Sequence, residues 1–148
     1  MKSTWLIVAD NSKARIFSLD SRTGPIEEVK TIENSEARLH EQDLTSDLPG
    51  RGSGKGGSGG HAYQNEVSPK EQGNINFAKK IANELDLARQ HKKFNRFILV
   101  GAPGFLGNLR NKFNSQTKKL IYLEVAKNWS NFNTMEIREH LSERLLKT

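Results

Sequence analysis

The first pattern in the chain is a run of five apolar residues, Trp5 to Ala9, closed by Asp10. So short a run, rich in Trp, Ile and Val, predicts a buried strand over Thr4–Ala9. Asp10-Asn11-Ser12 has the side-chain chemistry of a turn. Alternation then resumes from Ala14 to Leu19, with Ala14, Ile16 and Ser18 on one face and Arg15, Phe17 and Leu19 on the other, so a β-hairpin is expected. Ser21 to Pro25 predicts a second turn, and Ile26–Ile32 a third strand with Val29 and Ile32 inward. Glu33–Leu44 has no sustained period; a short strand or an irregular excursion near Leu39–Leu44 is the expectation there.

The pattern changes to a helical period after residue 67. Ser68 as N-cap, Pro69 at the first helical position and Glu71 three residues after the cap predict a helix start. Its apolar face runs Ala78, Ile81, Ala82, Leu85, Ala88, with Phe77 at the edge, and it should end near His91. Gly73 weakens the first turn by about 1 kcal/mol relative to Ala. Phe97–Val100 predicts a central strand, Gly101–Gly107 a turn into a short helix ending by Phe113, and Leu120–Val125 another strand. Asn133 and Glu136 open a last helix with Ile137, Leu141 and Leu145 in its buried row. Strands alternating with helices in the second half imply parallel crossovers. The whole, residues 1–148, is therefore expected to be one α/β domain, a mixed sheet flanked by helices, with no internal repeat.

Between these halves lies a segment, 49–65, that no period describes. Seven of the twelve glycines fall between Gly50 and Gly60, alongside Arg51, Lys55 and His61. Having almost no apolar surface to bury, it is expected to be a flexible loop. Charge sharpens the picture. Residues 1–48 carry six Lys/Arg and nine Asp/Glu, whereas residues 49–148 carry seventeen and eight, within a net charge of +6. A cationic, backbone-rich loop ahead of a basic helical half suits a polyanion, with nucleic acid ahead of membrane.

Catalytic constellations are scarce. The absence of cysteine excludes disulfides and thiolate chemistry. Gly50–Lys55 approximates a phosphate loop, but Pro49 and Gly56 stand where glycine and Ser/Thr belong, and no strand or helix abuts it. A dinucleotide fingerprint arises there only from glycine density. The Gly101–Gly107 turn joins a strand to a helix, so Gly104 with Arg110 is an anion-site candidate. Its competing reading is tight strand-to-helix packing. His40, His61, His91 and His140 show no metal spacing. Asp10, Asp43 and Asp47 are candidates for a magnesium site of a nuclease, against a plain turn-capping role. The expectation is no metal, no cofactor and no catalytic residue. The N-terminal apolar run is too short for a signal or membrane segment, so a cytoplasmic location is expected.

Several pieces taken together resemble the bacterial host attachment protein family: Val8–Phe17, Asp43–Arg51, Phe77-Ala78, Ala102-Pro103, Leu106–Arg110 and Ile137–Leu141. The family usually has Asp-Leu where this chain has Asn128-Trp129. It is in turn similar to the central domain of archaeal and eukaryotic peptide-chain release factors and of Pelota. That resemblance implies a ribonuclease-H-like fold with a Gly-Gly-Gln loop before a long helix. Here Gly59-Gly60-His61 stands at the comparable place, with Gln64 beyond it. The implied function is an RNA- or ribosome-associated module, with Arg51, Lys55, Gly59, Gly60, His61 and Gln64 in the loop and Lys79, Lys80, Arg89, Lys92 and Lys93 on phosphates. The alternatives are a peptidyl-tRNA hydrolase or metal-dependent nuclease, and a direct or indirect part in attachment to host cells.

Overall fold

The protein is described from a computed structural model over residues 4–21, 24–35 and 68–147. The segment 49–65 and the stretch Leu39–Leu44 lie outside these residues. The strands are β1 (Thr4–Ala9), β2 (Lys13–Leu19), β3 (Ile26–Glu33), β4 (Arg96–Val100) and β5 (Ile121–Val125). The helices are α1 (Pro69–Gln90), α2 (Pro103–Lys112), α3 (Ser115–Lys118) and α4 (Thr134–Lys147). The strands form one mixed sheet in the order β3-β2-β1-β4-β5. β1–β2 and β2–β3 are antiparallel; β1–β4 and β4–β5 are parallel.

Both faces of the sheet are covered. One face carries Trp5, Ile7, Ile16, Phe97 and Leu99 and packs on Phe77, Ile81 and Leu85 of α1 and on Phe105 and Leu109 of α2. The other carries Leu6, Val8, Phe17, Ile98 and Val100 and packs on Ile137, Leu141 and Leu145 of α4. The predicted alternation of β2 holds, with Ala14 and Ile16 in the first core and Phe17 and Leu19 in the second. β1 and β4 serve both layers, which is why their apolar runs are unbroken.

Three expectations change. Val29 is 46% exposed, because the register passes from Ile16↔Lys30 to Phe17↔Glu28 and leaves Val29 as the extra residue of a bulge. Ile32 is inward as expected, in the first core, and Ile26 joins the second. Phe77 is not at the edge of α1 but fully inside, with its ring 6.1 Å from that of Phe105. The short helix after β4 is followed by a further turn, α3, capped by Asn114, whose Oδ1 accepts the Thr117 N–H at 2.8 Å.

Both predicted helix starts form. The Ser68 hydroxyl accepts the Glu71 N–H at 3.1 Å, and Glu71 answers the hydroxyl rather than the backbone N–H. At α4 the exchange is complete: Asn133 Oδ1 accepts the Glu136 N–H and Glu136 Oε1 accepts the Asn133 N–H, both at 2.8 Å. The end of α1 is unusual. Lys92 N–H donates to Arg89 O and Lys93 N–H to Ala88 O, both at 2.9 Å, the two bonds of a Schellman motif. Lys92 occupies its left-handed position at φ 57°, where glycine is the usual residue.

Candidate functional site

The parallel strands β1, β4 and β5 end at one edge of the sheet, and side chains with chemistry gather there. Asp10 follows β1. Its Oδ1 accepts the Ser12 N–H at 2.7 Å, the Ser12 hydroxyl at 2.8 Å and the Lys13 N–H at 2.9 Å. The Asp10 N–H donates to Lys13 O, leaving Asn11 and Ser12 as a two-residue loop. Neither has a positive φ, so this is not the primed turn that strand twist favours; the carboxylate supplies the missing stability. Asn34, at the end of β3, donates its N–H to Ser12 O and its side-chain amide to Asn11 O.

The loop from Ala126 to Asn133 is fastened to this turn. Burial works against the Asp10 charge, but the neighbouring Ser130 hydroxyl and the hydrogen bonds from the Ser12 hydroxyl and from the Ser12 and Lys13 N–H groups outweigh it and hold the carboxyl below its ordinary range. The Ser130 hydroxyl lies between that carboxylate and Asn128 Oδ1, the latter at 2.7 Å. Arg15 Nη1 donates to Phe132 O at 2.7 Å and Ser130 O at 3.3 Å, while its Nε faces Glu28 at 3.6 Å. Asp10 and Arg15 thus clamp the post-β5 loop from two sides. The loop and α4 enclose a cleft of about 530 Å³, lined by Lys127, Asn128, Trp129, Phe132, His140, Glu143 and Arg144. The His140 ring stacks on Phe132 at 4.7 Å and 11°, with Trp129 at 5.5 Å.

The basic helices lie on the opposite face. Lys79 and Lys80 are exposed on α1 beside a shallow groove of about 430 Å³. Lys80 reaches Glu33 O at 3.5 Å. Lys92 and Lys93 are exposed past the end of α1. Arg89 is engaged elsewhere: Asp86 accepts from it at 2.7 Å and also from Asn114, Gln90 and Thr117. The bond from Asn114, ahead of that from Arg89, keeps the Asp86 carboxyl below its ordinary range. Asp86 therefore joins α1 to the α2–α3 corner, and Arg89 is held against it. Gly104 and Arg110 are not brought together. Gly104 is exposed in the first turn of α2, whereas Arg110, about 9 Å further along the helix, pairs with Glu124 at 3.0 Å. Gly101 is the packing glycine of that turn, since a Cβ there would stand 3.1 Å from Ala9 O.

Among the described residues, no three His, Cys, Asp or Glu side chains could share a metal ion. Asp43 and Asp47, and with them Arg51, Lys55, Gly59, Gly60, His61 and Gln64, lie outside those residues. Sequence reasoning missed the cleft: Lys127 to Asn133 is a polar loop of no motif, and His140 reads as a plain surface residue of α4. The signal was a pair of aromatics, Trp129 and Phe132, in an otherwise polar stretch after a strand.

This architecture is that of an α/β protein with a mixed five-stranded sheet covered by helices on both faces. Residues 5–141 match the family described as "Protein required for attachment to host cells", and the chain belongs to it. No curated protein matches the chain. A solved structure of an "Archaeal protein" is similar at 13% identity and a TM-score of 0.44, over 98% of this chain and 37% of that one. The chain thus spans little more than a third of that structure's length. Among the described residues no helix is long and apolar enough to cross a membrane.

Proposed function

We propose that this chain is a cytoplasmic RNA-binding module that associates with the ribosome, engaging phosphates with the basic helix face and the glycine-rich segment. One observation carries the reading. Residues 68–119, which form α1 to α3 and β4, hold eleven Lys/Arg against three Asp/Glu, while α4 on the other face holds three of each. A protein that only needed net charge for solubility would have no reason to place it on one side. Lys92 adds support: a lysine kept in a left-handed position is strained, and such strain is tolerated where the side chain has a use.

The same reading takes the fold as ribonuclease-H-like and akin to the central domain of release factors and Pelota. What supports it is a mixed sheet, in the order β3-β2-β1-β4-β5, flanked by helices. Arg51, Lys55, Gly59, Gly60, His61 and Gln64 would then precede α1 as the RNA-facing loop. A nuclease working through Asp10 has less support, because Oδ1 is already committed to three donors of the turn. The family description favours a second reading, a part in attachment, which an RNA-binding protein would exert indirectly by changing what the cell makes.

The test is co-sedimentation with ribosomes at low and high salt, together with binding of a labelled single-stranded RNA. The expected result is salt-sensitive binding that Lys79→Glu with Lys80→Glu and Lys118→Glu weakens strongly. Binding that ignores both salt and these substitutions refutes the reading. Recovery of the native protein on the cell surface would instead support direct attachment.

A further inference from the structure

We propose that the cleft between the post-β5 loop and α4 is a nucleotide site, taking a base on its platform of aromatic rings and a phosphate on Lys127 and Arg144. The buried row of α4, Ile137, Leu141 and Leu145, faces the sheet, so His140, Glu143 and Arg144, at i, i+3 and i+4, share a different face along one wall of the cleft. The loop supplies the other wall and the floor. Trp129 is nearly buried, and Phe132 lies parallel to the exposed His140 ring. Three rings at one opening form a platform on which a further planar ring stacks.

The polar groups suit the rest of a nucleotide. Lys127 and Arg144 make no ion pair among the described residues, and both line the cleft. Asn128 Oδ1 already accepts from Ser130 N–H at 3.1 Å and Ser130 Oγ at 2.7 Å, so its free valences are the two amide donors. Glu143 is the one acid of the lining; a carboxylate accepts from ribose hydroxyls and repels extra phosphates, which favours a monophosphate. The volume, about 530 Å³, is in the range of small-ligand pockets. The cleft also lies beyond the carboxyl end of β5, where α/β sheets place ligands. Asp10 and Arg15 are positioning residues here: they hold the loop and touch no ligand. The ligand is either a free mononucleotide or an unstacked nucleotide of an RNA strand.

The probes are AMP and a pentameric oligoadenylate, followed through Trp129 fluorescence in a Trp5→Phe background. Both are expected to quench Trp129. Lys127→Ala with Arg144→Ala should weaken binding about tenfold or more, and His140→Ala should weaken it without altering the fold, since all three side chains are exposed. Quenching by the oligomer but not by AMP assigns the site to RNA; quenching by both at equal affinity assigns it to the mononucleotide. No quenching by either, or quenching that Lys127→Ala with Arg144→Ala leaves unchanged, overturns the proposal. Lys79→Glu with Lys80→Glu, on the other face, should not affect AMP binding, so failure of the helix-face reading and failure of this one are told apart.

Discussion

Asp10 shows how one side chain sets a local structure. It ends an apolar strand, starts a turn whose backbone is not the preferred hairpin type, and sits against Ser130 of a loop more than a hundred residues away. Its folded carboxyl is held below the usual range by hydrogen bonds that overcome burial, so its contribution to stability is complete above about pH 4, the unfolded carboxyl value, and is lost as pH falls through the folded one. Asp10→Ala should destabilise the protein by about 1–2 kcal/mol at neutral pH, the low end for charged hydrogen bonds because the group is partly exposed. Asp10→Asn keeps the turn acceptor and should cost about half as much. In urea titrations the gap between wild type and Asp10→Asn should narrow below about pH 4. A gap constant down to pH 2 would mean that the charge has no part in holding the loop. The aspartate was visible in the sequence as a turn former, but its place beside Ser130 was not, because nothing local joins the two positions.

At the level of elements, the two helix starts were written in short-range chemistry and form where the residues say. The end of α1 was not, because the signal for it is glycine and Lys92 stands there. Lys92→Gly should raise stability by about 1 kcal/mol, since it relieves a left-handed β-carbon. If Lys92 also meets RNA, the same variant should bind RNA more weakly while melting at a higher temperature. The reverse pairing, lower stability with unchanged binding, would remove both claims. β3 teaches a similar lesson. Val29 reads from its apolar character as an inward residue, but a bulge against Ile16 and Phe17 leaves it exposed. Val29→Ser should therefore change stability by less than about 0.5 kcal/mol, whereas Ile32→Ala should cost about 2–4 kcal/mol, as denaturation midpoints will show.

Over the whole molecule, the fold separates the two surfaces proposed to bind. The α1–α3 face is broad, exposed and basic; the α4 cleft is narrow and aromatic. They should respond differently to salt. If the basic face binds RNA, counterions are released and the affinity should fall along a log–log line with a slope of about 0.7 per phosphate contact. AMP binding, resting on stacking and two cations, should change little over the same range. A common slope measured for both ligands would mean that one surface serves them.

The sequence by itself determined the strands of the hairpin, the central strand, both helix starts, the buried rows of α1 and α4 and the mixed parallel and antiparallel order, because periodicity, capping and turn chemistry act between near neighbours. Its charge count also told that the second part of the chain is basic. Only the tertiary structure decided that this charge lies on one face, that Arg89 and Arg110 are spent on Asp86 and Glu124, and that Lys127, Trp129, Phe132, His140 and Arg144 border one cleft. Those outcomes depend on which side of the sheet each helix crosses and on a loop held by Asp10 and Arg15. They are contacts between residues far apart along the chain, and no local pattern encodes them.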